Sequence, residues 1–282
     1  MVANMFLVRS LDIVVKVATI LGKNAELISL QKEARLARAE LEQEYFTPGG
    51  LIVSDTQTAY ALAICFGFLN ESQMVRAGDR LAELVRKNQF MIATGFAGTP
   101  FVCEALARTH HFEVANAVLL CRECPSWLYP VTIGATTVWE RWDSMLPDGT
   151  VNPGEMTSFN HYAFGAVAKF LYERVAGLQR VDAGWKTILV APIITGAFSY
   201  ASAHHVTPQG NVSCSWRTTR EKDGRGSLSL TVTVPHGSTA KIVLPKGKGE
   251  KTETVGPGSW SFNADFDVDE QAWPVKPLNP KS

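Results

Sequence analysis

The sequence lacks an excess of charge of either sign, with 27 Lys and Arg balanced by 27 Asp and Glu. No basic run with interleaved aromatic residues occurs, which argues against a nucleic-acid or membrane-surface partner and leaves room for a neutral one. The sequence also lacks long apolar runs. Its apolar N-terminal stretch is interrupted by Arg9, Asp12 and Lys16, which favours a helix over a signal peptide. We therefore expect a soluble, cytoplasmic protein, or a secreted one if the native N-terminus lies upstream.

Cysteine is sparse, and the five residues form neither a disulfide scaffold nor a recognisable metal site. Cys121 and Cys124 make one CxxC without a second ligand pair, so we interpret them as buried thiols. The adjacent His204 and His205 lie in a predicted strand and point to opposite faces, which makes them poor ligands for one metal ion. The sequence predicts no metal and no cofactor.

Two kinds of helix alternate between about residues 11 and 175. Segments near 29–45, 72–88 and 111–122 are amphipathic, whereas TQTAYALAICFGFL and SFNHYAFGAVAKFLY are apolar or small nearly all round. Amphipathic outer helices around apolar inner ones are typical of an α/α toroid built of helical hairpins. Roughly seven or eight helices are predicted, fewer than a closed barrel of six hairpins requires.

After Gly177 the apolar period changes to two. Alternating runs occur at 212–216, 228–234 and 240–244, with a further strand candidate in ILVAPIITG, and they predict an antiparallel β-sandwich. The expected fold class is therefore multidomain α and β. Residues 1–177 form an incomplete α/α toroid, residues 178–266 form the sandwich, and residues 267–282 form a tail.

The densest chemical constellation is GATTVWERWDS, where Trp139, Arg141 and Trp142 surround Glu140. Indole rings stack on the apolar faces of sugars, and a carboxylate beside them can deprotonate a water aimed at an anomeric carbon. The alternative is that both indoles are core residues and that Glu140 pairs with Arg141 or another surface cation. The residues alone leave this choice open.

Five blocks in order, SDTQTAYALA, TGFAGTP, PSWLYP, GATTVWERWDS and SFNHYAFGAV, resemble the second half of the bacterial and fungal α-L-rhamnosidases that use an α/α barrel. The resemblance extends into the sandwich through GWKTILVAP and LSLTVTVP. It implies inverting hydrolysis of terminal α-L-rhamnosides, with Glu140 as the general base and rhamnose-containing glycosides as partners.

The resemblance also suggests substrate-binding residues. His161 would hydrogen-bond a sugar hydroxyl, the alternative being a satisfied core histidine on an apolar helix. Trp139 and Trp142 would shape the sugar pocket, although one of them could support the loop from behind. Arg141 lies beside the base, and Phe96 with the glycines of TGFAGTP would line the barrel mouth.

Two polar residues at the start of a predicted inner helix allow two interpretations. Gln57 and Asp55 could reach the cavity of the barrel. Capping of the helix N-terminus by Asp55 is an equally good explanation.

An inverting enzyme also needs a general acid, which the family carries in Cys-Pro-Gln-Arg-Asp-Glu-Arg and Gly-Trp-Gly-Asp type blocks that do not occur here. We therefore expect a fragment, a truncated gene product or one piece of a split enzyme, with little activity alone. A missing N-terminal half or a homo-oligomer would cover the open barrel. The alternatives are a non-catalytic sugar-binding or scaffolding protein derived from the family, or another α/α-barrel glycosidase.

Overall fold

A computed structural model describes residues 1–220, 225–246, 249–267 and 273–279. The chain divides into two compact units. The first comprises residues 1–164 with the segment that begins at Lys276, and the second comprises residues 165–275. No helix among the described residues is both long and apolar enough to cross a bilayer.

The first unit is helical. Its helices are α1 (Val2–Ile20), α2 (Asn24–Tyr45), α3 (Gln57–Phe66), α4 (Glu71–Lys87), α5 (Thr99–Arg108), α6 (Phe112–Leu120) and the short α7 (Leu128–Thr132). The pairs α1 and α2, α3 and α4, and α5 and α6 pack as consecutive hairpins. This arrangement confirms the predicted hairpin architecture.

Helices α1, α3 and α5 form an inner row in which α3 packs against both of the others. Three phenylalanine rings, Phe6, Phe66 and Phe101, meet edge to face with centroids 5.1 to 6.5 Å apart and join the three helices. Helix α3 has the all-round burial predicted for an inner helix. Its apolar composition therefore matches its position between two neighbours.

Helix α4 shows how the sequence specifies an outer helix. Asn70 accepts from the backbone N–H of Gln73, while the Gln73 side chain accepts from the backbone N–H of Asn70, which forms a capping box. The buried face carries Ala77, Gly78, Leu81, Ala82 and Val85, as the three- and four-residue spacing predicts.

The SFNHY segment is not helical, contrary to the sequence-based expectation. A 3-10 turn begins only at Ala163 (Ala163–Ala166) and continues into α8 (Val167–Phe170) and a π-helical turn (Leu171–Val175). Leu171 and Tyr172 are about two-fifths exposed, at 41 and 42%. The expected burial on all sides is therefore also wrong for this segment.

The second unit contains two four-stranded sheets, ordered β1-β2-β6-β7 and β3-β4-β5-β8. The strands are β1 (Leu178–Arg180), β2 (Thr187–Val190), β3 (Tyr200–Thr207), β4 (Gly210–Arg220), β5 (Arg225–Val234), β6 (Thr239–Lys246), β7 (Gly249–Val255) and β8 (Gly258–Asp267). All pairings are antiparallel except that of β2 with β6, which is parallel. The predicted sandwich is confirmed, with one parallel pair that alternation alone does not reveal.

The core of the sandwich contains the residues whose period-two alternation predicted the strands, among them Cys214, Trp216, Leu230 and Ile242. Trp216 donates its indole N–H to the Val175 carbonyl at 2.9 Å, so its one polar group is satisfied on burial.

The predicted tail 267–282 lies partly outside the described residues. Of the part that is described, Trp273 packs closely against Gly196 in the second unit. Lys276 and Leu278 form hydrogen bonds to Arg86 in the first unit.

Candidate active site

Two backbone segments of the long loop after α7 lie side by side and position Glu140. The Glu140 N–H donates to the Ser158 carbonyl at 2.9 Å, and the His161 N–H donates to the Val138 carbonyl at 2.8 Å. The Thr137 hydroxyl donates to the Phe159 carbonyl. These hydrogen bonds bring Glu140 and His161 together although 21 positions separate them in the sequence.

The two oxygens of the Glu140 carboxylate have different surroundings. Oε2 accepts a hydrogen bond from the Ser158 N–H at 3.2 Å, whereas Oε1 lies 4.0 Å from Nε2 of His161. The Glu140 side chain is largely enclosed but remains 18% exposed, so water can reach it. Because the backbone N–H of Ser158 binds Oε2, the other oxygen, Oε1, remains available to accept a proton.

His161 contacts two aromatic rings, and one of its ring nitrogens accepts a hydrogen bond. Phe96 stacks on it with centroids 5.0 Å apart and planes 13° apart, and Tyr162 stacks at 6.1 Å and 8°. Its Nδ1 lies 3.4 Å from the Ala163 N–H, which makes Nδ1 the acceptor and leaves Nε2 to carry the proton when the ring is neutral. The side chain is 31% exposed, so it is not a core histidine on a helix.

The Phe96 ring, which stacks on His161, packs in turn against further aromatic rings. Phe164 lies 4.9 Å from Phe96, and Trp142 stacks flat on Phe164 at 3.9 Å with 11° between the planes. Trp127 meets Trp142 edge-on and donates its indole N–H to the Phe164 carbonyl at 2.9 Å. The Trp142 ring therefore packs against Phe164 and Trp127.

Trp139 lies in the interior of the loop. It is 4% exposed and packs edge-on against Phe159 with centroids 5.2 Å apart. Of the two roles considered for the indoles from the sequence, this position favours support of the loop from behind over contact with a sugar.

Arg141 does not pair with Glu140. Its guanidinium bonds the Asp143 carboxylate at 3.1 and 3.4 Å and donates to the Glu155 carbonyl at 3.3 Å. Gly154 lies against the guanidinium, where a Cβ would be 2.3 Å from one nitrogen. The ion pair between Glu140 and Arg141, which the sequence allowed as an alternative, is therefore absent. Arg141 instead binds Asp143 and Glu155 of the same loop.

The loop that carries Phe96 is fixed by α3. Gln57 is buried, accepts from the Ala93 N–H at 3.0 Å and donates to the Met91 carbonyl at 3.4 Å. A Cβ on Gly98 would lie 2.7 Å from the Thr58 hydroxyl, so this glycine permits a close approach to α3. Gln57 thus holds the loop through both ends of its side-chain amide.

Asp55 is not the helix cap. Thr56 caps α3 by accepting from the Ala59 N–H at 3.3 Å. The Arg80 guanidinium donates to both Asp55 oxygens and holds the pKa of that carboxyl below its usual value.

The CxxC thiols are half-buried, where buried thiols were predicted. Burial, with a contribution from Asp143, raises the pKa of the Cys124 thiol to about 11. This thiol therefore stays protonated at neutral pH. Among the described residues, no group of three or more His, Cys, Asp and Glu side chains could hold a metal ion.

Ser158, Phe164 and Tyr162 are site residues that the sequence reasoning missed. Phe164 follows His161 by three positions within the quoted block, so the spacing of its aromatics was an available signal. For Ser158 the contribution is its backbone N–H, which no side-chain pattern indicates.

The chain combines a helical-hairpin unit, which carries a largely enclosed carboxylate beside aromatic rings, with a β-sandwich that follows it in sequence. Its class is therefore that of helical-hairpin proteins with an appended β-sandwich. Residues 1–175 match the family model described as the bacterial alpha-L-rhamnosidase six-hairpin glycosidase domain, and residues 177–259 match the bacterial alpha-L-rhamnosidase C-terminal domain. The chain belongs to the bacterial α-L-rhamnosidase family.

Proteins of similar sequence are called α-L-rhamnosidases. An α-L-rhamnosidase of Formosa agariphila is 35% identical over 251 residues, which are 89% of this chain and 27% of that protein. One of Streptomyces avermitilis is 34% identical over 252 residues, 89% of this chain and 24% of that protein. The chain thus spans about a quarter of the length of these curated relatives.

Solved structures show the same fold. The native α-L-rhamnosidase of Aspergillus terreus matches with a TM-score of 0.86 and 34% identity over 92% of this chain and 30% of that one. The Streptomyces avermitilis enzyme complexed with L-rhamnose matches with a TM-score of 0.84 and 32% identity, over 93% of this chain and 26% of that one.

Proposed function

We propose that this chain carries the general base, Glu140, and part of the sugar subsite of an inverting α-L-rhamnosidase. The observation that carries this proposal is the geometry at Glu140. One oxygen is anchored by the Ser158 N–H, and the other faces His161 Nε2 at 4.0 Å. The relatives named above support the choice of substrate, terminal α-L-rhamnosides.

In the proposed step, Oε1 of Glu140 accepts a proton from a water molecule as the water oxygen forms a bond to the anomeric carbon. The bond from that carbon to the glycosidic oxygen breaks, and the leaving oxygen takes a proton from a general acid. The product has inverted anomeric configuration. The N–H of Ser158 fixes the direction of the carboxylate throughout.

His161 binds the sugar in this proposal. Its Nε2–H points towards the space beside Glu140 Oε1, where it donates to a ring hydroxyl. The 4.0 Å separation is too long for a direct hydrogen bond, so a hydroxyl or water oxygen bridges the two groups. Phe96 keeps the imidazole in this orientation by stacking.

We propose that the general acid comes from outside these 282 residues, because neither acid-bearing block of the family occurs in them. Other carboxylates have local partners: Glu104 pairs with Arg108 at 2.8 Å, and Asp148 accepts from the Thr150 hydroxyl at 2.7 Å. Without proton donation the chain alone should lose about 10²- to 10⁴-fold in rate.

The test compares hydrolysis of 4-nitrophenyl α-L-rhamnoside by the chain alone and by the chain combined with the acid-bearing part of the Streptomyces avermitilis enzyme, the part upstream of the matched region. Activity should appear only in the combination. Glu140→Gln should reduce its kcat about 10²- to 10⁴-fold, whereas Glu155→Gln, an exposed carboxylate, should leave kcat unchanged. Full activity of the Glu140→Gln combination would refute the proposal.

A second candidate function is sugar binding without turnover. The observation that favours it is that His161 and its stacked partners Phe96 and Tyr162 all lie on this chain. It predicts L-rhamnose binding that is weakened by His161→Ala, with no hydrolysis in any combination. Detection of turnover that depends on Glu140 decides for the enzyme.

A further inference from the structure

The loop that carries Glu140 is closed by a polar network around Asp143. Arg141 donates to both oxygens of the Asp143 carboxylate, from Nε to Oδ1 at 3.1 Å and from Nη2 to Oδ2 at 3.4 Å. Oδ2 also accepts from the side-chain amide of Asn152 at 2.9 Å, and Asn152 accepts from the Gly154 N–H at 2.9 Å. Asp143 therefore links two segments of the loop that lie nine positions apart.

The guanidinium of Arg141 has a partner at each of its three nitrogens. Nε and Nη2 bind Asp143, and Nη1 donates to the Glu155 carbonyl at 3.3 Å. A Cβ on Gly154 would lie 2.3 Å from Nη1, so the absence of a side chain there makes room for the guanidinium. Arg141 follows Glu140 directly in the sequence, yet all of these partners belong to other residues.

Glu140 offers this cation a competing acceptor. Its Oε2 binds the Ser158 N–H at 3.2 Å, whereas Oε1 lies 4.0 Å from His161 Nε2, beyond direct hydrogen-bond distance. The backbone bends at both Glu140 and Arg141, so their side chains are not constrained to opposite sides as neighbours in a strand are. A guanidinium binds a carboxylate through charge-assisted hydrogen bonds, which are about twice as strong as neutral ones. Without Asp143, Oε1 is therefore the acceptor that Arg141 should take.

A guanidinium on Oε1 would impair a general base in two ways. The positive charge stabilises the ionised carboxylate, which makes it a weaker base. The guanidinium would also occupy the position from which Oε1 must accept a proton from water. The base therefore needs its neighbouring cation to be held elsewhere, and Asp143 binds and neutralises that cation.

We propose that Asp143 is a positioning residue that holds Arg141 away from Glu140 and so keeps Oε1 free for the attacking water. This inference rests on the proposed function, in which Glu140 is the general base. It differs from a purely structural role of Asp143 in one respect that can be measured. If Asp143 only closes the loop, removal of the Arg141 cation cannot compensate for the loss of the Asp143 charge.

The kinetic test uses 4-nitrophenyl α-L-rhamnoside and the chain combined with the acid-bearing part of the Streptomyces avermitilis enzyme. Asp143→Asn keeps the size of the side chain and one acceptor oxygen but removes the charge. Arg141 should then move to the Glu140 carboxylate, and kcat should fall about tenfold or more. KM should stay within about threefold, because the sugar-binding His161 and its stacked partner Phe96 are unchanged.

Removal of the cation should rescue the variant. Asp143→Asn with Arg141→Gln should return kcat to within about threefold of wild type, because no guanidinium remains to bind Oε1. For the same reason, Arg141→Gln alone should lose less activity than Asp143→Asn. The matched control is Asp148→Asn, the same substitution at an exposed aspartate of the same loop, which should leave kcat unchanged. A double variant as slow as Asp143→Asn would overturn the proposal.

A crystal structure of the isolated Asp143→Asn chain tests the inference without any turnover. It should show the Arg141 guanidinium within about 3 Å of the Glu140 carboxylate. A guanidinium that remains at position 143 would overturn the inference and leave Glu140 as the proposed base. A guanidinium on Glu140, together with a wild-type combination that hydrolyses no rhamnoside, would refute the proposed function and leave intact the role of Asp143 in holding Arg141.

Discussion

Helix α3 buries eight of its ten residues, whereas α1 buries three of nineteen, although α1 is nearly as apolar along its length. The two helices belong to the same inner row. Composition marks both as inner helices, but burial depends on having neighbours on both flanks, which α3 has within this chain. Several large apolar side chains of α1 are therefore exposed in this chain, and the comparison makes four predictions.

The largest expected effect contrasts one leucine from each helix. Leu62 of α3 is fully buried, so Leu62→Ala should destabilise the first unit by about 2 to 5 kcal/mol. Leu7 of α1 is 53% exposed, so Leu7→Ala should change stability by less than about 0.5 kcal/mol. Urea denaturation measures both, and equal losses would break the comparison.

A polar residue on α3 should matter nearly as much. Gln57→Leu leaves the Ala93 N–H without its partner in a partly buried place, whereas the Met91 carbonyl keeps its hydrogen bond from the Asn88 side chain at 2.9 Å. The change should cost about 1 to 2 kcal/mol. Gln43→Leu, at an exposed position of α2, is the control and should cost almost nothing. The loss at Gln57 should also weaken L-rhamnose binding, because the loop it holds carries Phe96.

The ion pair of Asp55 with Arg80, next to the N-terminus of α3, should make a smaller, pH-dependent contribution to stability. Arg80 lowers the pKa of Asp55 in the folded state, so the stabilisation is present above the unfolded value of about 4 and is lost as the pH falls through the folded pKa. Both side chains are partly exposed, so Asp55→Asn should cost at most about 1 kcal/mol at pH 7. The wild type and the variant should converge in stability as the pH falls below the folded pKa of Asp55, as measured by urea denaturation. A gap that stays constant with pH would contradict the assignment.

The smallest effect is expected on α1 itself. Val14→Asp in the isolated chain should change the free energy of unfolding by less than about 0.5 kcal/mol, because Val14 is 44% exposed there. A loss of several kcal/mol would show that α1 is already covered, for example in a homodimer, and sedimentation of the variant would reveal it.

The same dependence on neighbours explains what the sequence could and could not predict. The buried stripe of α4 and the alternation around Trp216 are local periodicities, and both predictions are confirmed. The SFNHY segment has helical composition, yet the backbone of Ser158 and His161 is bound to residues 138 and 140, which competes with helix formation. The parallel pairing of β2 with β6 is likewise long-range.

Within the site, residue types were predictable and their roles were less so. Glu140 and His161 are adjacent in space as the family resemblance implies, but the use of Arg141 to bind Asp143 and the burial of Trp139 depend on how the loop folds. The support of Phe96 by Gln57 depends on contacts between positions 34 to 36 apart.

The central claim is that Oε1 of Glu140 activates the attacking water. Its most direct test is chemical rescue of Glu140→Ala by azide, with 4-nitrophenyl α-L-rhamnoside as substrate and in combination with the acid-bearing part of the Streptomyces avermitilis enzyme. Azide needs no base, so the account predicts restored release of nitrophenol and a rhamnosyl azide of inverted anomeric configuration by NMR. A variant that hydrolyses the substrate as fast as wild type without azide, or an azide product of retained configuration, would contradict it.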